Sequence, residues 1–222
     1  MRCMDHITPY PFIDQPASGG FTSQLLTQLA RSGVLAVAVP ASMGGAGGTL
    51  QELSAEARMM CQYEPAAWAV LRAQRLAIEV LVHTRNVGLR EYLLPDLLAG
   101  TRAGTVAMPT ACTPLIGTDT GRGWRLQGHL HHMANLHSAG YTLIAPVQLG
   151  TSTGWAALRS EEDGLTVRPL TEPTPAWAAA AHLGELDCHH CFFREDEWLG
   201  DQTLNTHVQT LEVALRQAQL HA

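Results

Sequence analysis

The chain has 222 residues, a hydrophobic content of 46%, a charged content of 15% and a net charge of −6. This composition is typical of a globular protein with one large domain or two small ones. The 14 Lys and Arg residues are scattered along the sequence, which argues against nucleic acid and against an anionic membrane as partners.

The N-terminal segment 1–20 is rich in Pro and Gly and predicts a flexible arm. It lacks the apolar region of a signal peptide. The longest apolar run, GVLAVAVPA, is far shorter than the ~20 residues of a transmembrane helix. The five cysteines form an odd set without a secretion signal, which predicts reduced thiols and a cytoplasmic location.

Helical patterns dominate the first hundred residues. From Phe21 the apolar residues follow i, i+3, i+4 spacing as far as Gly33. The glycine-rich loop after it lacks the Lys and Ser/Thr of a phosphate-binding loop, and Thr49 with Glu52 has the spacing of a capping box that starts the next helix. The pattern predicts a helical domain over 1–104, with helices at 50–64, 66–82 and 87–98 after the first one.

After Gly104 the sequence consists of short runs of alternating apolar and polar residues separated by turns. This pattern predicts a β-sandwich or barrel over 105–200. A final helix is predicted over 201–222. Its apolar stripe must be buried against something, and we expect it to pack on a second copy or another chain through Leu204, Val208, Leu211 and Leu215.

Four histidines lie within GHLHHMANLHSAG. On a strand His129 and His131 share one face and His132 points to the other. A pair of imidazoles on one face can bind zinc, but a third ligand is needed and none is supplied nearby in the sequence. We therefore assign no metal ligand and expect a solvated or interfacial pair, with a metal-dependent module as the last of three hypotheses.

The other candidate is Cys188-His-His-Cys191. A lone CxxC without a second pair is weak evidence for zinc, and in a strand rather than at a helix start it does not favour redox chemistry. We expect the two thiols to face opposite sides of a strand as small, half-buried side chains.

Four segments together resemble the N-terminal and middle domains of acyl-CoA dehydrogenases. They are LARSGVLAVAVPASMGGAGGTLQE, LLPDLLAGTRAGTVAM, GWRLQGHLHHMANLHSAGYTLIAP and LGELDCHHCFFREDEWLG. The resemblance implies an α+β fold, a helical domain followed by a β-barrel-like domain, over residues 25–200.

The resemblance also implies FAD as cofactor and an acyl thioester as substrate. Two segments would form the wall of the flavin site: Ala107, Met108, Pro109 and Thr110 in the first, and His132, Met133, Ala134 and Asn135 in the second. Thr118 would contact the substrate.

The sequence departs from the family at these positions. Pro109-Thr110-Ala111 stands where the family has Thr-Glu-Pro, His132 where it has an aromatic residue, and Ala134 where it has Thr, while Asn135 is retained. Each lost hydrogen bond is worth roughly 0.5–1.5 kcal/mol, so two or three losses would weaken cofactor binding.

The family's catalytic carboxylate belongs to a C-terminal helical domain that does not follow here, so we expect no oxidation by the isolated chain. One hypothesis is that the chain is part of a flavin-dependent acyl-thioester oxidoreductase completed by another polypeptide. The alternative is a non-catalytic relative that no longer binds FAD and acts as a partner or regulatory subunit.

Overall fold

A computed structural model of the protein describes residues 21–138, 140–170 and 174–220. The arm predicted at 1–20 lies outside these residues. The first part of the described chain contains four helices: α1 (Phe21–Ser32), α2 (Leu50–Tyr63), α3 (Pro65–His83) and α4 (Val87–Ala99). Within the described residues, none of the helices has both the length and the apolar composition required to cross a membrane.

The helix boundaries follow from local chemistry. Thr49 caps α2 with its side chain, and Glu52 returns the hydrogen bond to the Thr49 backbone, so the predicted capping box is confirmed. Pro65 occupies the first turn of α3, where its missing N–H costs nothing. Gly100 ends α4 in the left-handed conformation with φ of 65°.

The second part is one mixed sheet of eight strands followed by a helix. The elements are β1 (Ala103–Val106), β2 (Leu115–Asp119), β3 (Trp124–Met133), β4 (Tyr141–Leu149), β5 (Ser152–Arg159), β6 (Leu165–Arg168), α5 (Trp177–Ala180), β7 (Gly184–Phe193), β8 (Trp198–Asp201) and α6 (Leu204–Leu220). The strands follow the order β6-β7-β3-β2-β4-β5-β8, with β1 paired to β4, and the pairs of β1 and of β2 with β4 are parallel. The predicted α+β order of helices, strands and a last helix is confirmed.

Two β-bulges interrupt the antiparallel pair of β3 and β7. The register shifts between Leu130 and Met133, where His132 has φ of 54°, and again opposite His190, where φ is 58°. A bulge inserts one residue and breaks the alternation of faces. The expectation that His131 and His132 face opposite sides is therefore wrong, since both are exposed between the buried Leu130 and Met133.

The bulge at His190 also changes the place of the two cysteines. Cys188 and Cys191 are both buried, so the prediction that they face opposite sides of the strand is wrong. The Cys188 thiol hydrogen-bonds the Leu126 carbonyl oxygen at 3.4 Å. Its hydrogen bond with Cys191, together with burial, raises the pKa of Cys188, so this thiol stays protonated at neutral pH.

The apolar stripe of α6 is buried within the chain itself, against α2 and α3. This corrects the prediction that the stripe packs on a second chain, because its side chains already belong to the hydrophobic core: Leu204, Val208, Leu211 and Leu215. Although α6 follows the sheet in the sequence, it packs in the helical layer, where its apolar face is buried.

A buried polar cluster joins the helices to the sheet. The Gln74 side chain on α3 donates to the carbonyl oxygens of Leu97 (2.8 Å) and Arg102 (3.0 Å) and accepts from the Gly104 N–H (2.6 Å). Asn135, beyond the end of β3, donates to Gln74 Oε1 (2.9 Å) and to the Gly104 carbonyl oxygen (3.0 Å). Every partner lies inside the protein, which makes the cluster a structural joint.

Candidate functional site

A cleft of about 570 Å³ opens between α3, α6, the end of β3 and the segment that follows β1. This volume lies within the range of about 300–1,000 Å³ that is usual for small-molecule sites. The described residues that line it are Trp68, Arg72, Val106, Ala107, Met108, Ala111, Cys112, His131, His132, Met133, Arg216, Gln219 and Leu220.

The cleft brings together the two segments that the sequence singled out. Ala107 and Met108 come from the segment after β1, and His132 and Met133 from the bulged end of β3. The parallel pairing of β1 with β4 fixes the first segment, because the Ala107 N–H continues the ladder to the Ile144 carbonyl oxygen at 2.9 Å. Residues 25 positions apart in the sequence thus form one surface.

Pro109 and Thr110 form a turn beside the cleft. The Met108 carbonyl oxygen accepts from the N–H groups of Ala111 (2.9 Å) and Cys112 (3.0 Å). Proline suits the position after the first residue of such a turn, because its φ is already fixed there. Thr110 is exposed and Pro109 partly so, and the turn directs Ala111 and Cys112 to the cleft in their place.

The remaining predicted residues are outside the lining of the cleft. Asn135 is 1% exposed and points to the Gln74 cluster, and Ala134 packs against the core. Thr118 is exposed on β2 and pairs with Arg125 near the start of β3, whereas the cleft lies at the other end of that strand.

One wall of the cleft carries a charged cluster. Arg72 on α3 makes a bidentate contact with Glu212 on α6, with donor–acceptor distances of 2.8 and 2.6 Å. Arg216, one turn further along α6, donates to the same carboxylate at 2.5 Å. Two guanidinium groups against one carboxylate leave one net positive charge at the wall, which favours an anionic or electron-rich ligand.

Trp68 contributes a partly buried aromatic ring to the cleft. The indole Nε1 of Trp68 is buried and has no hydrogen-bond partner among the described residues. Leaving such a group unpaired costs about 1–3 kcal/mol. Because the Nε1 atom is covered, the indole presents its ring surface to the cleft rather than its N–H group.

Sequence reasoning missed the helical side of this site. Trp68, Arg72 and Arg216 come from helices whose patterns indicated only packing. The spacing of Glu212 and Arg216 indicates a helical ion pair, but no sequence pattern shows that Arg72, 140 residues earlier, shares it. Cys112 was also missed, and burial raises the pKa of its thiol, so it is not an activated nucleophile.

No protein-family model matches the sequence, and no curated protein matches it either. Solved structures do match in fold. The chain is similar to one in the ChsE4-ChsE5 complex from Mycobacterium tuberculosis, with 20% identity and a TM-score of 0.69 over 90% of this chain and 53% of that one.

Two further structures have the same arrangement. The acyl-CoA dehydrogenase complexed with FAD from Bacillus anthracis is 14% identical with a TM-score of 0.75, over 89% of this chain and 36% of that one. The prolyl acyl carrier protein oxidase AnaB is 17% identical with a TM-score of 0.71, over 90% and 58%. The chain has an acyl-CoA dehydrogenase-like fold. It spans about half the length, or less, of these structures.

Proposed function

We propose that the chain forms one wall of an FAD site in an acyl-thioester oxidoreductase whose remaining parts come from another polypeptide. The observation that carries this proposal is the convergence of Ala107–Met108 and His132–Met133 on one cleft. These segments correspond to the flavin wall of the family that the sequence resembles.

The cleft suits a flavin ring in size and chemistry. Met108 and Met133 are polarisable apolar side chains that pack well on aromatic rings. The indole ring of Trp68 adds an aromatic surface against which a flavin ring can pack. FAD supplies the two-electron oxidation when it is bound, and the chain's own role is to hold and orient the ring.

The described lining of the cleft contains no carboxylate to remove a substrate α-proton. Glu212 lies behind it, and both of its carboxylate oxygens already accept hydrogen bonds from Arg72 and Arg216. A second polypeptide that brings a carboxylate would complete the chemistry. The match to a chain of the ChsE4-ChsE5 complex and to a carrier-protein oxidase supports a shared site and a thioester substrate.

The first experiment is an absorbance spectrum from 300 to 550 nm, recorded on the purified chain before and after it is mixed with FAD and desalted. We expect flavin bands that survive desalting. The Trp68→Phe variant removes part of the aromatic surface that lines the cleft and should weaken FAD binding up to about tenfold, because an aromatic contact is worth about 0.5–1.5 kcal/mol.

Trp177→Phe is the matched control, since Trp177 packs against the core outside the cleft and its loss should leave FAD binding unchanged. A colourless wild-type chain after desalting would contradict autonomous flavin binding. Equal losses in both Trp variants would show a general packing effect rather than a contact in the cleft.

The second candidate is a non-catalytic subunit that retains the fold without FAD. The interior position of Asn135 favours it, because the amide retained from the family pattern serves the Gln74 cluster. Under this hypothesis the chain would bind a partner chain with the cleft unoccupied by flavin, and retention of FAD by the purified chain in the absorbance experiment would exclude it.

A further inference from the structure

The sequence around His129 and His131 contains no further metal ligand, but the antiparallel pairing of β3 and β7 brings carboxylates next to these two histidines. His129 is the register partner of Asp187, and Glu185 lies two residues away on the same strand. Side chains two residues apart share a face of a strand. The pairing therefore places two imidazoles and two carboxylates on one outer patch of the sheet.

The contacts within this patch are close. His129 Nε2 lies 3.3 Å from one oxygen of Glu185, and His131 Nδ1 lies 3.2 Å from the other. One ligand atom from each of the three residues lies within 4.8 Å of the others. Two ligand atoms at about 2.0–2.2 Å from a tetrahedral Zn²⁺ are about 3.3–3.6 Å apart, so each imidazole lies close to this spacing from one oxygen of Glu185.

From this geometry we propose that His129, His131 and Glu185 bind a divalent transition-metal ion, for which zinc is the probe. Imidazole nitrogen with one carboxylate is a ligand set for zinc and its transition-metal neighbours rather than for magnesium or calcium. Three protein ligands leave one coordination position open. His131 is 57% exposed and also lines the cleft, so the ion lies at the rim of the cleft.

Asp187 provides the outer support that such sites require. Its Oδ1 forms a hydrogen bond with His129 Nδ1, while Arg168 holds its other oxygen at 2.5 Å. A ligating histidine usually donates its second ring nitrogen to a carboxylate, which fixes the tautomer and the ring plane. Here that contact fixes the Nε2 atom of His129 as the one that faces Glu185.

The charge on Glu185 also calls for a cation. Its side chain is 13% exposed, and its charge partners within 4 Å among the described residues are His129 and His131. A mostly covered carboxylate without a Lys or Arg needs compensation. A metal ion between the carboxylate and the two rings provides it.

A second group, formed by Glu79, His83 and His207, has the same composition. In this group Glu79 is the charge partner of the fully buried Arg75 at 3.9 Å, and the two imidazoles are stacked at 3.6 Å. A metal bound to Glu79 would compete with Arg75 for the same carboxylate. This group therefore serves as the matched control.

The test is a titration of the metal-free chain with Zn²⁺ in competition with a chromogenic chelator. We expect one equivalent to bind. His131→Ala and Glu185→Gln should weaken binding more than 100-fold, and Asp187→Asn, which removes the charge of the supporting carboxylate, by about 10- to 100-fold. His207→Ala should leave the affinity unchanged, and Mg²⁺ should not compete.

Circular dichroism in the presence of EDTA checks that each variant is folded. Binding of Co²⁺ to the wild-type chain provides a second measurement, because the visible absorption of the bound ion reports its ligand geometry without any substitution. Absence of stoichiometric Zn²⁺ binding, or a loss in His207→Ala instead of His131→Ala, would overturn the proposal and leave the patch as ion pairs. Neither readout depends on FAD.

Discussion

At the scale of single residues, Asn135 shows why a retained family residue need not touch the cofactor. Its backbone has φ of 66°, a left-handed conformation that Asn adopts more readily than most residues. Its amide then pairs with Gln74 and the Gly104 carbonyl oxygen. One residue therefore satisfies a conformational need and a hydrogen-bonding need at once.

These two needs can be separated by substitution. We expect Asn135→Ala to lower the free energy of unfolding by about 2–3 kcal/mol, because it loses the amide contacts and strains the backbone. Asn135→Gly loses the same contacts without the strain and should be less destabilised by about 1 kcal/mol. Urea unfolding measures both values, and equal losses would mean that φ is unimportant.

The buried pair of Arg75 and Glu79 is a second residue-scale feature. Burial lowers the pKa of Arg75 to about 10, so the guanidinium remains charged at neutral pH. Its Nη1 donates to the Leu35 carbonyl oxygen at 2.9 Å, whereas Nε and Nη2 have no hydrogen-bond partner among the described residues. The charge on Glu79 is therefore the main compensation for this cation.

Removing that compensation should be costly. We expect Glu79→Gln to lower the free energy of unfolding by about 3 kcal/mol, since it leaves a buried cation unpaired. Arg75→Met should cost less, because Glu79 keeps its contact with His83 at 3.0 Å. Chemical denaturation at pH 7 ranks the two variants, and the reverse order would show that the guanidinium packs rather than pairs.

At the scale of elements, Arg102 connects the start of β4 to Glu161, which follows the end of β5. Arg102 donates to the Thr142 hydroxyl (2.8 Å), to the Tyr141 carbonyl oxygen (2.7 Å) and to both oxygens of Glu161. The hydrogen bonds from Arg102 are the main reason that the pKa of Glu161 is lowered from 4.5 to about 2. The ionised form of Glu161 is thus favoured by folding.

The sign of the pH dependence follows from this lowered pKa. The ionised Glu161 contributes fully to the free energy of unfolding above pH 4.5, and this contribution is lost as the pH falls through 2. Glu161 is 54% exposed, so solvent screening limits the contribution to about 1 kcal/mol or less. Glu161→Gln should remove this acid-dependent component in unfolding curves between pH 2 and 5, and Glu195→Gln, at an exposed site, should retain it.

Local elements were predictable from the sequence, and their long-range pairing was not. Thr49, Pro65 and Gly100 mark helix ends by local chemistry, which a sequence displays directly. The bulges at His132 and His190 depend on a partner strand about 60 residues away. Because of these bulges, the predicted sides of the strands were wrong for the histidines of β3 and for the cysteines of β7.

The candidate site divides in the same way. The segments around Met108 and Met133 were predictable because a family resemblance preserves their order. Trp68, Arg72 and Glu185 reach their positions through packing of α3 and pairing of β7. Such contacts between distant positions have no local pattern, so only the folded chain reveals them.

At the scale of the whole molecule, α6 has two roles: one side completes the core, and another side forms part of the cleft. Its buried stripe closes the helical layer against α2 and α3, while Arg216 and Leu220 line the cleft. Leu220 is 82% exposed. A partner that completes the cleft would therefore meet the outer face of α6 rather than replace this helix.

The Gln74 cluster has a consequence for how the molecule opens. It binds the end of α4, the start of β1 and the segment after β3 to a single side chain on α3, and one continuous core runs from Leu25 to Ala218. Helices and sheet therefore share one core, and we expect the amide protons at the joint to exchange only through global unfolding. A protease would find few sites between the layers, and either half cut from the other would expose apolar surface and amide groups that need the missing part.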